Sequence, residues 1–223
     1  MPLELQSHFV AFIDILGFSE MVRLDCESSS PPKYLQVLYD SHVKANALFA
    51  QDLDAGLIQF SDSIVFSKPF NLEALPGFLK SIGDWQQSLM LNGLLCRGGV
   101  AFGKHFVKDK FLFSKAMIDA YFLESSKARF PRIVVSEDLL QLASSTISID
   151  QLYLRREDDG AVFVDFLRTD SEDMREKLVT SVSELLTGIE KTNSAVQEKL
   201  RWLARYADHA LDAKIAVPQF STI

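Results

Sequence analysis

The chain has 223 residues, 48% of them apolar and 24% charged, which suits one sizeable core with or without a helical extension. Its 23 basic and 30 acidic residues leave a net charge of −7, which argues against a nonspecific grip on nucleic-acid phosphates or anionic lipid. Cys26 and Cys96 have neither CxxC spacing nor a companion histidine cluster, so no structural zinc site or disulfide framework is expected and a reducing compartment is implied. The longest uncharged stretch, Trp85 to Cys96, falls short of the roughly 18 residues of a membrane span, and Glu4 stands where a signal peptide carries positive charge. A cytoplasmic protein without a membrane segment is expected.

His8 to Ile15 reads as a buried strand with Asp14 near its end, breaking at Leu16-Gly17-Phe18-Ser19 into a helix start. A loop at Cys26–Pro32 precedes a helix from Tyr34 to about Gln51, which ends near Asp52–Gly56. Leu57 to Ser67 is an apolar ladder pinched by Ser61-Asp62-Ser63, so two strands with a carboxylate at the hairpin tip are expected. The spacing predicts a helix over Leu72–Leu91 closed by Gly93, then a strand from Leu94 to Gly103. A strand pair over His105–Phe113 turning at Lys108-Asp109-Lys110, a helix over Ser114–Ser126 and a strand at Pro131–Ser136 follow. Ser136 then caps a short helix, and Leu152–Leu154 pairs with Ala161–Phe166 across Asp158-Asp159-Gly160. Beyond Asp170 two apolar stripes, Met174 to Ile189 and Val196 to Ala207, predict two antiparallel helices, the second opened by a capping box at Ser194 and Gln197.

The expected fold is therefore α+β, a ferredoxin-like βαββαβ core over residues 8–168 with a C-terminal helical hairpin at 170–215 packed on it. A lone aspartate at a strand end or hairpin tip is usually a turn former or cap. Asp14 and Asp62 together are different, because in such a core the first strand neighbours the middle hairpin, and two carboxylates there can face each other across a gap sized for divalent cations. An unpaired ionised carboxylate at that depth costs several kcal/mol, so each must be exposed or compensated. Gly17, Phe18 and Ser19 place helix amides beside the pair, and such amides bind phosphate oxygens, which makes a metal–nucleoside triphosphate the natural ligand. Arg97, in CRGGVAFG, borders the same face.

FVAFIDILGFS (Phe9–Ser19), FSDSIVF (Phe60–Phe66), RGGVAFG (Arg97–Gly103) and AYFLESSKARFPRIVVS (Ala120–Ser136) resemble, in order and spacing, the core motifs of the class III nucleotidyl cyclases. The resemblance implies that Asp14 and Asp62, helped by the Ile15 carbonyl, bind two Mg²⁺ or Mn²⁺ ions and that Arg97 contacts the triphosphate. It also implies a homodimer whose sites are completed by the partner. The purine-reading positions of that family fall on Ile58 and Phe111, both apolar, and its transition-state asparagine and arginine fall on Ile118 and Phe122 when Glu124 is aligned with the family's glutamate. Lys115, Tyr121, Arg155 and Arg156 are candidates to replace the missing polar groups.

A chain with both metal aspartates and no purine readers resembles one subgroup, the Pycsar cyclic-pyrimidine synthases of bacterial anti-phage defence. That implies conversion of UTP or CTP, with UTP favoured, to a cyclic monophosphate that gates a separate effector protein. The competing reading is a degenerate cyclase-fold module that binds nucleotide or pairs with another chain without chemistry. Loss of the asparagine–arginine pair favours it, and retention of Asp14, Asp62 and Arg97 opposes it. The four histidines have no ligand-like spacing, and Trp85 and Trp202 lie on apolar helix stripes, so all six are expected to be structural.

Overall fold

A computed structural model describes residues 3–49, 56–108 and 111–216. One mixed sheet organises the chain, with strands β1 (Gln6–Ile15), β2 (Gly56–Phe60), β3 (Ser63–Pro69), β4 (Cys96–Lys108), β5 (Phe111–Ser114), β6 (Ile133–Val135), β7 (Leu154–Arg156) and β8 (Val162–Val164). Their order is β2-β3-β1-β4-β6-β8-β7, with β5 paired to β4 beyond that path. β4 and β6 are the parallel pair, and the crossover between them carries helix α4 (Lys115–Lys127). The remaining helices are α1 (Phe18–Glu27), α2 (Lys33–Phe49), α3 (Leu75–Leu91), α5 (Glu137–Ser144), α6 (Glu172–Leu186) and α7 (Ser194–Leu211).

The period of two along β1 divides the protein into layers. Phe9, Ala11, Ile13 and Ile15 point into a core completed by Phe49 of α2 and by Phe78, Leu79, Ile82, Trp85 and Leu89 of α3. Trp85 is fully buried there, its indole N–H donating to the Ser41 carbonyl at 3.2 Å. Val10 and Phe12 face the other way and meet Val65, Ala101 and the Ala116 and Ala120 of α4. A third cluster joins Phe163, Phe166, Leu167 and Met90 to Leu178 and Val182 of α6 and to Trp202, Leu203, Tyr206 and Ala207 of α7. The C-terminal hairpin is thus seated on the sheet edge, anchored by the Tyr206 hydroxyl donating to the buried Asp165, whose carboxylate also pairs with Arg155 at 2.7 Å.

Several boundaries differ from the sequence reading. β4 runs unbroken through Gly103 into the tongue it forms with β5, because Gly103 stays extended and each residue from Cys96 to His105 has a partner on β1. α6 stops at Leu186, and Ile189 belongs to a separate single turn of 3₁₀ helix after Gly188, whose φ of +75° breaks the stripe. The cap of α7 is Asn193, accepting from the Val196 N–H at 3.0 Å, so Ser194 is the first helical residue and Gln197 reaches back to the Thr192 carbonyl instead of closing a box. Leu152 ends a 3₁₀ turn, which shifts the hairpin strand forward to Leu154–Arg156. Ser136 caps α5 and Ser114 caps α4. The expected turn at Asp109-Lys110 and the helix end near Gln51–Ala55 lie outside the described residues.

Candidate active site

β1 lies inside the sheet between β3 and β4, and its end gathers the site. Asp14 stands opposite Ser63 on β3 and opposite Arg97 on β4, so the ladder fixes which residues face the carboxylate. By alternation Asp14 continues the Val10–Phe12 row and points to the layer beneath α4. β2 and β3 are joined by the two-residue turn Ser61-Asp62, with Ser61 at φ +54°, and the Ile15 N–H donates to the Asp62 carbonyl at 3.0 Å. That bond clips the turn to the end of β1 and brings the second carboxyl to the first. Burial, above all, and the negative charge of Asp62 push the Asp14 pKa up, while Arg97 opposes the shift.

Arg97 lies between two acids. Its Nε is 3.6 Å from Asp14 Oδ2 and 2.8 Å from Oε1 of Glu124 on α4. The shorter contact is not an aligned hydrogen bond, since neither Arg97 Nε nor Glu124 Oε1 has a partner of proper hydrogen-bond geometry. It is a charge contact. Glu124 is 3% exposed, and burial raises its pKa, with Asp14 and Asp62 adding to the rise and Arg97 opposing it. Sequence reasoning used Glu124 only as an alignment marker. The signal was there: Ala116, Ala120 and Glu124 are spaced four apart, so the stripe of α4 that packs on the sheet ends in a carboxylate.

Gly99 explains how α4 comes so close, and Gly98, on the other side of β4, how closely β1 lies against it. A Cβ at Gly99 would lie 2.2 Å from the Ala120 carbonyl oxygen and 2.7 Å from Leu123 Cβ, and one at Gly98 would lie 2.6 Å from the Phe12 carbonyl oxygen. Both glycines are therefore needed for close approach of backbones, and the helix that Gly99 admits carries Glu124 down onto Arg97.

Ile15 is 2% exposed and ends β1; Gly17 is the N-cap of α1 at φ +80°, and Phe18 and Ser19 fill the first turn, where N–H groups have no intrahelical acceptor. Ile58 packs on the cluster of Val10, Phe12 and Val65, and the Tyr121 ring sits edge-on to Phe12 with centroids 5.4 Å apart. These two candidates share the Asp14 face. Phe111 and Lys115 do not: Phe111 pairs with Lys108, eleven residues along β4 from Arg97, about 36 Å at about 3.3 Å per residue. Lys115 is exposed and ion-paired with Asp119. Arg155 and Arg156 lie on β7 at the far edge of the sheet, three strands from β4, with Arg155 committed to Asp165. Ile118 and Phe122 are exposed on α4.

The carboxyl pair fits a divalent cation, because burial and the like charge of Asp62, which together push the Asp14 pKa up, are what a cation between the two would relieve. Among the described residues no group of three or more His, Cys, Asp or Glu could hold an ion alone. The remaining ligands would come from a backbone carbonyl, water and substrate phosphates, the manner in which Mg²⁺ is commonly held. Also among the described residues, no helix is long and apolar enough to cross a membrane.

No family model matches the chain, and no curated protein matches its sequence. Solved structures do. The monomeric guanylyl cyclase domain of the RhoGC fusion protein from the aquatic fungus Blastocladiella emersonii is 16% identical over 74% of this chain and 98% of its own, with a TM-score of 0.54. The guanylate cyclase domain of RhGC from Catenaria anguillulae, in complex with GTP, is 15% identical over 71% and 93%, with a TM-score of 0.51. A bacterial light-regulated adenylyl cyclase is 14% identical over 81% of this chain and 58% of its own, with a TM-score of 0.52. The chain has the fold of the class III nucleotidyl cyclase domain.

Proposed function

We propose that the chain is a nucleotidyl cyclase that converts a pyrimidine nucleoside triphosphate, UTP before CTP, to the 3′,5′-cyclic monophosphate and pyrophosphate. The observation that carries the proposal is the convergence of Asp14, Asp62 and Arg97 at one strand end of a cyclase fold. The ribose 3′ oxygen bonds to the α-phosphorus, the bond from that phosphorus to the bridging oxygen breaks, pyrophosphate leaves with the electron pair, and the 3′ proton passes to water. Two divalent cations, Mn²⁺ or Mg²⁺, held by Asp14 and Asp62 with the Ile15 carbonyl, would supply Lewis-acid charge to the attacking and leaving oxygens. Arg97 faces the triphosphate with a fixed positive charge, and the first-turn amides of Phe18 and Ser19 take phosphate oxygens.

Base choice rests on Ile58 and Tyr121, which offer apolar and stacking surface beside Asp14 and no purine-reading polar group. Phe111 reaches such a pocket only from a second copy, given its distance along β4, which supports a homodimer with composite sites. Exposed Phe111, Phe113, Ile118 and Phe122 give that second copy an apolar face. The α6 face does not serve, since Leu178 and Val182 are fully buried within the chain. The resemblance to the cyclic-pyrimidine synthases supports a product that acts on a separate effector in anti-phage defence.

The test incubates the protein with equal concentrations of the four ribonucleoside triphosphates and Mn²⁺ and identifies products by mass. Cyclic UMP or CMP is expected, with turnover abolished in folded Asp14→Ala and Asp62→Ala. A product dominated by cyclic AMP or GMP overturns the base assignment. Nucleotide binding without any product establishes the catalytically silent module, the reading that apolar Ile118 and Phe122 favour.

A further inference from the structure

We propose that Glu124 is a positioning residue that lets Arg97 change partners: Arg97 acts as the internal counter-ion of Asp14 when no cation is bound, and Glu124 retains it when a cation takes Asp14. The inference rests on the proposed cation site and deepens it. The corner holds three carboxyl groups, Asp14, Asp62 and Glu124, and one guanidinium. Arg97 sits nearer Glu124, at 2.8 Å, than Asp14, at 3.6 Å, and both acids approach it closest through Nε. The Arg97 side chain keeps 29% of its surface exposed, while that of Glu124 keeps 4%.

A cation at Asp14 and a guanidinium 3.6 Å away repel, so binding the one requires the other to give ground. Without Glu124 the arginine would have only the metal carboxylates to pair with and would compete with the cation. Glu124 removes that competition by offering a second, fully buried charge on the rigid stripe of α4, held at depth by the close approach at Gly99. Because neither Nε nor Oε1 is locked in an aligned hydrogen bond, the Arg97–Glu124 charge contact itself tolerates a pivot of the guanidinium. Arg97 then keeps its place for the triphosphate through loading.

The test measures Mn²⁺ binding in the absence of nucleotide, by paramagnetic resonance of the free ion, for wild type, Arg97→Gln, Glu124→Gln and the double variant, with thermal melts in chelator confirming folding. Arg97→Gln should tighten Mn²⁺ by roughly tenfold, since a competing charge is gone. Glu124→Gln should weaken it by a similar factor and raise KM for the triphosphate more than it lowers kcat. In the Arg97→Gln background, Glu124→Gln should change the Mn²⁺ affinity by less than about twofold, because Glu124 acts through Arg97. Mn²⁺ affinities within twofold of wild type in both single variants overturn the proposal, as does an equal loss from Glu124→Gln with and without Arg97. Should Glu124→Gln not fold, Arg97→Gln alone decides, with unchanged or weaker binding counting against. Asp14→Asn separates the two levels: if it leaves Mn²⁺ binding intact the cation site itself has failed, whereas if it abolishes binding while Arg97 and Glu124 variants are silent only the partner exchange has.

Discussion

Gly99→Ala should lift α4 from the sheet. The new methyl carbon would stand 2.2 Å from the Ala120 carbonyl oxygen, against an ordinary contact of about 3.5 Å, so the helix must retreat by about 1 Å or more. The obstruction is backbone, and no rotamer change relieves it. Overpacking of this kind costs about 1–3 kcal/mol, and at about 2–4 °C per kcal/mol for a chain of this size the melting temperature should fall by about 4–8 °C for a mid-range cost. Glu124, one turn beyond Ala120, moves with the helix and draws away from Arg97, so the folded variant should also lose nucleotide affinity. Gly77→Ala on α3 is the matched control: its Cβ meets nothing within 4 Å, and a gain of a few tenths to about 1 kcal/mol is expected from reduced freedom of the unfolded chain. Differential scanning calorimetry and nucleotide titration of the two variants decide the matter. A Gly99→Ala protein with wild-type melting temperature and wild-type affinity would refute the account of why RGG occurs in this strand.

Further outcomes follow from other parts of the structure. His105 is 1% exposed, its ring 4.6 Å from that of His8, and burial and then His8 push its pKa down to about 4. The folded state therefore binds fewer protons than the unfolded chain between about pH 6.5 and 4, and the stability associated with neutral His105 is lost as pH falls through that window. Urea denaturation should show wild type losing about 2 kcal/mol more than His105→Gln between pH 7 and 5; parallel curves would contradict the assignment. Arg132, 1% exposed, bridges Glu157 and Asp159 and donates to the Lys127 carbonyl at 2.9 Å, so Arg132→Ala should cost about 1–3 kcal/mol by removing the tie between the β7–β8 turn and the end of α4, read as a drop in the urea midpoint. Phe122→Glu should turn a dimer into a monomer on light scattering without lowering the melting temperature, because Phe122 is 59% exposed in one chain; an unchanged dimer would place the interface elsewhere.

Local chemistry made much of this legible. The alternation of β1, the Ser61-Asp62 pinch, the serine cap at Ser136 and the helix stripes carry short-range signals that the structure repeats with shifts of a few residues. What escaped depends on tertiary placement. Whether Gly103 ends a strand or is merely crossed by it is decided by pairing with β1, which no window of the sequence contains. Asn193 displaced Ser194 as cap because both are good caps and the choice falls to where the preceding 3₁₀ turn delivers the chain. Among candidate site residues, Arg97 was placed by strand order and Ile58 by the resemblance, and both lie on the Asp14 side, while Phe111 is separated from them by the length of β4. Glu124 was overlooked because a glutamate in a helix reads as solvated surface until Gly99 opposite shows that the helix has no room for solvent on that side.

The third cluster has a consequence for how the polypeptide is made. Met90, Phe163 and Phe166 come before the C-terminal hairpin in the chain, yet Trp202, Leu203, Tyr206 and Ala207, which cover them, come from α7. Until α7 has emerged from the ribosome, β8 and the back of α3 present a bare oily surface, and Asp165 lacks the Tyr206 hydroxyl. The nascent chain must therefore persist as a sticky, unfinished intermediate through the synthesis of α6 and α7, and premature stops within α7 should give insoluble rather than merely inactive protein.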